Sequence, residues 1–307
     1  MTFSDRLAEA VRRKGPLCVG IDPRWESLPA AYRAGRHLPA EAPEMAELEH
    51  PLRAAAIVGG FVTRVLELVE PYCGVVKPQA AFFELLGPAG TAALQGALRD
   101  ARHLGLVTIL DAKRGDIAST ATAYADAAFA GSKIDGQTLP VWDADSLTIN
   151  PYLGRDAVEP FLTAAKAADR GTFVLVRTSN PGAGLFQDLV CDGKPLYRHV
   201  AAAVVEWNAS TLGACGLGDV GAVVGATHPR ELVELRAAMP DVWLLVPGYG
   251  AQGGTAADVR AAYRADGLGA VVNSSRGVTF PFHPDDPDWE AKVVAAAKKA
   301  ADDLRVG

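Results

Sequence analysis

No run in the sequence approaches the ~18 consecutive apolar residues that a membrane-spanning helix requires, so a helical membrane protein is excluded from the outset. The first fifteen residues, MTFSDRLAEAVRRKG, form an amphipathic helical pattern with interspersed acids and lack the apolar core and small-residue cleavage site of a signal peptide. Cysteine is scarce. Cys18, Cys73, Cys191 and Cys215 show no paired metal spacing, and we read them as reduced thiols in the core or on the surface. The six histidines are equally unpaired, and His228 in THPREL reads as a helix start rather than a metal ligand. Basic charge is not in excess: the net charge of −6 argues against a nucleic-acid or anionic-membrane footprint. Neither a G-x-S-x-G elbow nor a Walker loop occurs, which weakens serine acyl transfer and nucleotide hydrolysis. These absences point to a cytoplasmic protein, with a small anionic metabolite still a compatible ligand.

What is present is a repeated alternation. With 49% hydrophobic and 21% charged residues among 307, the chain has an ordinary globular composition. Eight short Val-rich runs, at 17–22, 74–79, 107–110, 145–151, 172–179, 220–226, 242–248 and 269–276, are separated by segments of helical spacing. Eight strand-helix units without consecutive strands point to an α/β fold, a (β/α)8 TIM barrel, over an open doubly wound sheet. Residues 23–51 are Pro-rich with mixed charge and read as an irregular insertion carrying short helices at most. No low-complexity linker divides the chain, so residues 1–307 are expected to form a single domain.

Nearly every run ends in a polar residue: Asp22, Lys77, Asp111, Asn150, Ser179, Thr227, the Gly248 loop and Arg276. Barrel active sites lie on that C-terminal face. The densest chemistry is in residues 107–120, VTILDAKRGDIAST, where an apolar strand breaks into alternating charge. If the backbone stays extended, the period of two points Asp111 and Lys113 the same way, and a turn at Arg114-Gly115 carries Asp116 to the next helix, where it could also serve as a plain helix cap. RTSNPGAG (177–184) offers a hydroxyl and an amide that could read a polar heterocycle edge. The loop PGYGAQGGT (247–255) has G-x-G-x-x-G spacing, but it sits on the seventh unit and the next strand lacks an acid for a ribose diol. Its glycines, Gly250 and Gly253 among them, and Arg276 instead suit an anion such as phosphate, which barrels bind after strands seven and eight.

DAKRGDI resembles the D-x-K-x-x-D-I signature of orotidine 5′-phosphate decarboxylases, and Lys77, TSNPGA, PGYGAQGG and NSSRG follow in that family's order from Asp22 to Arg276. The resemblance implies a charged network of Lys77, Asp111, Lys113 and Asp116, with Asp116 supplied across a homodimer interface to a shared active site. It also implies that Asp22 and Thr120 contact the ribose, Ser179 the pyrimidine, and Gln252 with Arg276 the phosphate, Pro247, Gly250 and Gly253 lying in the same binding loop. No metal and no organic cofactor is implied. The chain departs from compact family members in segment 23–51, in GSKIDGQTLPVWDAD (131–145) and in Ala118, where many have proline; it is similar in this to a longer bacterial subgroup.

The residue types fit the chemistry without the family. Loss of CO2 from C6 of a pyrimidine leaves a poorly delocalised electron pair, which an adjacent ammonium can stabilise and protonate. Two other readings stand beside this one. A sugar-phosphate decarboxylase or aldolase of the same suprafamily would use Mg2+ on carboxylates, but Lys77 occupies the place where the resemblance implies an acid. A catalytically silent barrel that senses a phosphorylated metabolite is the second.

Overall fold

In the computed structural model, residues 1–35, 50–250 and 253–305 are described. Eight parallel strands close into a barrel in the order β1-β8-β7-β6-β5-β4-β3-β2. They are β1 (Leu17–Ile21), β2 (Val75–Pro78), β3 (Val107–Arg114), β4 (Ser146–Ile149), β5 (Gly171–Arg177), β6 (Val220–Val224), β7 (Leu244–Val246) and β8 (Ala270–Ser274). All eight expected runs are strands of the barrel. Helix α1 (Phe3–Lys14) precedes them, and α2 (His50–Val69), α3 (Gly87–His103), α4 (Ala118–Ala125), α5 (Arg155–Ala167), α6 (Leu196–Asn208), α7 (Pro229–Ala238) and α8 (Trp289–Leu304) lie between or after the strands. Unit seven is the exception, its crossover reduced to single turns at Ala256–Val259 and Arg260–Ala262. No helix among the described residues is long and apolar enough to cross a membrane.

Side-chain alternation along the strands divides the interior. Outward residues such as Val19, Val76, Leu110, Leu147, Val174 and Val272 pack beneath the helices, while inward Cys18, Val75, Ile109, Phe173, Trp243 and Val271 fill the barrel's lower half. Helix α1 closes the bottom: the Phe3 ring meets Phe173 edge-on at 6.2 Å, and the Trp243 indole donates to Ser4 Oγ at 2.7 Å. With the lower end sealed by apolar side chains, the same inward parity further along β1–β4 and β8 delivers Asp22, Lys77, Asp111, Thr148 and Asn273 to the upper mouth, while Leu175, Val223 and Leu245 keep the β5–β7 side apolar.

Segment 131–145 carries regular structure of its own. Within 23–35 there are two single turns, Trp25–Ser27 and Ala30–Arg33; residues 36–49 lie outside the described residues. Segment 131–145 contains a two-stranded antiparallel hairpin, Ser132–Ile134 with Gln137–Leu139, and a second small hairpin pairs Val190–Cys191 with Lys194–Pro195. Both turn on Asp-Gly pairs, Asp135-Gly136 and Asp192-Gly193, with all four residues at positive φ as a type I′ turn requires. All four cysteines are free, Cys18 and Cys73 within the core.

Candidate active site

The inward parity of the strand ends sets the floor of a cavity of about 520 Å³ at the C-terminal mouth. Asp22 follows β1, Lys77 lies on β2 with Gln79 just after it, Asp111 lies on β3, Thr148 on β4, and Asn273 on β8 with Ser275 just after it; all line it. Gly20 is required at the seam between β1 and β8, because a Cβ there would come 1.9 Å from Ser275 Oγ.

Asp111 is the hub. Its Oδ2 accepts from Lys77 Nζ at 2.5 Å and from Gln79 Nε2 at 3.0 Å, while Oδ1 accepts from Lys113 Nζ at 2.7 Å and from the Thr148 hydroxyl at 2.9 Å. Asp111 and Lys77 are each only 5% exposed. Burial alone would raise the carboxyl's pKa, yet the ammonium groups of Lys77 and Lys113 outweigh it and hold Asp111 well below the usual carboxylate range. Burial likewise opposes the charge on Lys77, but Asp111 and Asp22 overcome it and raise its pKa. The cluster is therefore two lysine side chains on one carboxylate whose charged form they favour, with four donors occupying its acceptor sites.

Lys113 reaches Asp111 by a different backbone from the extended one expected. Leu110 faces Leu147 and Arg114 faces Ile149, so four steps along β3 match two along β4, and Lys113 sits at φ +45°. The excess residues form a bulge that re-aims the lysine, and alternation is not what brings the two side chains together. Its side chain is 47% exposed toward the cavity while its ammonium is held by Asp111. Gly115 is needed for close approach rather than for its turn angle: a Cβ would lie 3.1 Å from the Asn150 carbonyl oxygen.

Asp116 stands apart. It does not line the cavity, and its Oδ1 accepts only the adjacent Ile117 N–H at 2.8 Å. Helix α4 begins at Ala118 with Ile117 as its N-cap and no side-chain cap, so the plain capping role does not apply. Ala118 itself is at φ +48°, a backbone that proline, fixed near −65°, could not adopt. Thr120 is exposed on α4, also away from this chain's cavity.

Of the remaining expected residues, Asp22, Ser179, Pro247 and Arg276 line the cavity. Asp22 Oδ1 is buried without a hydrogen-bond partner among the described residues, in a residue that lines the cavity. The loop after β5 is braced by Gln187, whose Oε1 accepts the Thr178 N–H at 3.0 Å. Gly250 and Gly253 do not line the cavity, and their N–H groups donate within the loop, to Gly254 and Gly250 respectively. Gln252 lies outside the described residues. Sequence reasoning overlooked Gln79, Thr148, Arg24 and Asn273 at the cavity. The first two could have been found by counting two residues inward from Lys77 and Ser146, whereas Arg24, stacked over the Phe82 ring at 4.6 Å, carried no such signal.

Together, a closed parallel barrel and a lysine–aspartate–lysine cluster at its C-terminal mouth define a barrel enzyme built for charge stabilisation and proton transfer. Residues 15–285 match the family model described as Orotidine 5'-phosphate decarboxylase / HUMPS family, and the chain belongs to that family. It is 47% identical over 313 residues, 99% of either chain, to the orotidine 5'-phosphate decarboxylase of Rhodopirellula baltica. To that of Caldicellulosiruptor bescii it is 36% identical over 92% of this chain and 90% of the relative. Among solved structures, the Leishmania donovani OMP decarboxylase superposes with a TM-score of 0.74 at 35% identity, covering 99% of this chain and 97% of the other.

Proposed function

We propose that the chain decarboxylates orotidine 5′-monophosphate to uridine 5′-monophosphate in pyrimidine biosynthesis, as a homodimer with shared active sites. The observation that carries this is the placement of Lys113 Nζ at the cavity, held 2.7 Å from an ionised Asp111. The C6–carboxylate bond breaks, CO2 departs, and the electron pair left on C6 is stabilised by the Lys113 ammonium, which then transfers a proton to C6 and is reprotonated from solvent. Asp111 keeps that lysine charged, and its negative field disfavours the bound carboxylate more than the neutral CO2 it becomes. Bond cleavage and proton transfer balance without an oxidant or an electron sink. Lys77, a second buried ammonium on Asp111, weighs against the Mg2+-dependent reading, because it would repel a divalent cation.

The substrate's remaining parts have partners of the right kind. The orphaned Asp22 oxygen would accept from a ribose hydroxyl, Ser179 would face the pyrimidine, and Arg276 with the 247–254 loop would take the phosphate. Since Gly250 and Gly253 spend their N–H groups within the loop, Arg276 carries more of the phosphate binding than the glycine spacing suggested. Arg276→Ala is expected to raise KM for the nucleotide ~10- to 100-fold with a smaller change in kcat, the loss of one charge-assisted contact. Orotidine without its phosphate should be indifferent to the change; equal losses for both would remove Arg276 from the phosphate site.

Asp116 gains its role from a second copy. It lies beside exposed Ile117, and Tyr152, 76% exposed, and Phe186 crown the neighbouring loops after β4 and β5 with their rings 6.4 Å apart. An apolar rim next to a carboxylate with no ion-pair partner among the described residues suits a partner barrel that buries the rim and receives Asp116. In this reading residues 1–307 make a single barrel domain. Incubating the purified chain with orotidine 5′-monophosphate and a chelator should give the fall in absorbance that accompanies its conversion to uridine 5′-monophosphate. A folded sample without turnover would leave only the sensor reading.

A further inference from the structure

The two extra residues of β3 have to be held in place by something, since a lysine at φ +45° is a left-handed conformation that costs an L-residue about 1–2 kcal/mol. In the bulge the N–H groups of Ala112 and Lys113 lose their ladder partners. Both donate instead to one atom, Thr148 Oγ1, at 3.1 and 2.9 Å. A hydroxyl oxygen has two lone pairs and one hydrogen. With the lone pairs taken by two backbone donors, the hydrogen has one destination within reach, Asp111 Oδ1 at 2.9 Å. That oxygen also receives the Lys113 ammonium. Thr148 is 1% exposed on β4, so water has little access to replace any of the three bonds.

We infer that Thr148 is a positioning residue for Lys113: its hydroxyl fixes the bulge that turns Lys113 into the cavity and, through the same atom, orients the carboxylate that receives the ammonium. The inference rests on the decarboxylation proposed above. Gln79 braces the other oxygen of Asp111 but touches neither Lys113 nor its backbone, so it holds the carboxylate without setting the lysine. Nothing in the local pattern LTIN marks Thr148 as other than a strand residue; the role arises only because β3 carries excess length opposite it.

Thr148→Val keeps the shape and removes the hydroxyl. It should lower kcat ~10- to 100-fold, the scale of a displaced reacting group, while KM changes by less than about threefold, because no substrate-binding group is altered. Thr148→Ser, which keeps all three hydrogen bonds, should restore kcat to within a few-fold of wild type. A merely structural role would show as lowered thermal stability with kcat per folded molecule unchanged. If Thr148→Val does not fold, Thr148→Cys, a weaker donor and acceptor of similar volume, should show the same split in smaller measure. Wild-type kcat in the valine or cysteine variant, or failure of serine to restore it, would overturn the inference. Should the wild-type chain itself prove inactive, the decarboxylation proposal falls separately. The positioning role is then decided by a crystal structure of Thr148→Val, in which Lys113 should leave φ +45° and its ammonium should leave Asp111; an unchanged Lys113 would refute it.

Discussion

Lys113→Ala is expected to reduce kcat by about 10⁴-fold or more while the protein remains folded and still binds uridine 5′-monophosphate. Two contributions are lost at once: electrostatic stabilisation of the C6 electron pair and delivery of its proton, each of which commonly supplies 10²-fold or more. The fold should tolerate the change, because the Lys113 side chain is about half exposed and its only ion pair among the described residues is with Asp111. Asp111 keeps Lys77, Gln79 and Thr148, so its buried charge is not orphaned. Because Asp111 retains these three partners and Lys113 itself stands half in the cavity, a melting curve should register the change as a small shift. Single-turnover kinetics at saturating substrate isolate the chemical step. Retention of a tenth of wild-type activity would remove Lys113 as the proton donor.

The second large effect concerns assembly. Asp116→Ala and Lys113→Ala chains should each be inactive alone, yet mixing them should restore about a quarter of wild-type activity after subunits exchange at random. Half the dimers would then be mixed, and each mixed dimer would hold one site with Lys113 from one chain and Asp116 from the other. Its second site carries both lesions. The motive is geometric: Asp116 lies off this chain's cavity, caps no helix and has no ion-pair partner among the described residues, which is an unusual position for a carboxylate beside so basic a cluster. Exchange under mild denaturant, with mixed dimers verified by mass, makes the readout clean. Mixed dimers that stay inactive would place the action of Asp116 within its own subunit.

How much of this was legible in the sequence follows from how local each determinant is. Barrel strands announce themselves because a parallel strand buried on both faces must be a short apolar run, as in residues 220–224, VGAVV, and all eight were readable. Lys77, Asp111 and Asp22 were readable for a related reason: each stands where an apolar strand gives way to charge. The Lys113 backbone was not readable. A bulge depends on the length mismatch between β3 and β4, a pairing that no window of one strand contains. The bracing role of Thr148 was hidden by the same non-locality, although the period of two along β4 and β2 already turns Thr148 and Gln79 toward the mouth. The two hairpins, by contrast, carry a local signal, Asp-Gly between short runs, which is legible without knowledge of any other strand. The 247–254 loop gave the opposite lesson: its glycine spacing suggested backbone donors for an anion, whereas the N–H groups of Gly250, Gly253 and Gly254 close the loop on itself.

The central claim is that a proton from the ammonium-bearing side of the cavity replaces CO2 directly at C6, and the position of hydrogen in the product tests it most sharply. Turnover of orotidine 5′-monophosphate by the purified chain in D2O, followed by mass spectrometry and proton NMR of the nucleotide, reports where solvent hydrogen enters. The Lys113 ammonium exchanges with solvent, so the account predicts one CO2 released per uridine 5′-monophosphate formed, with a single deuterium at C6 and none at C5. Deuterium at C5, as an addition–elimination route across the C5–C6 bond would leave it, would contradict direct protonation of C6.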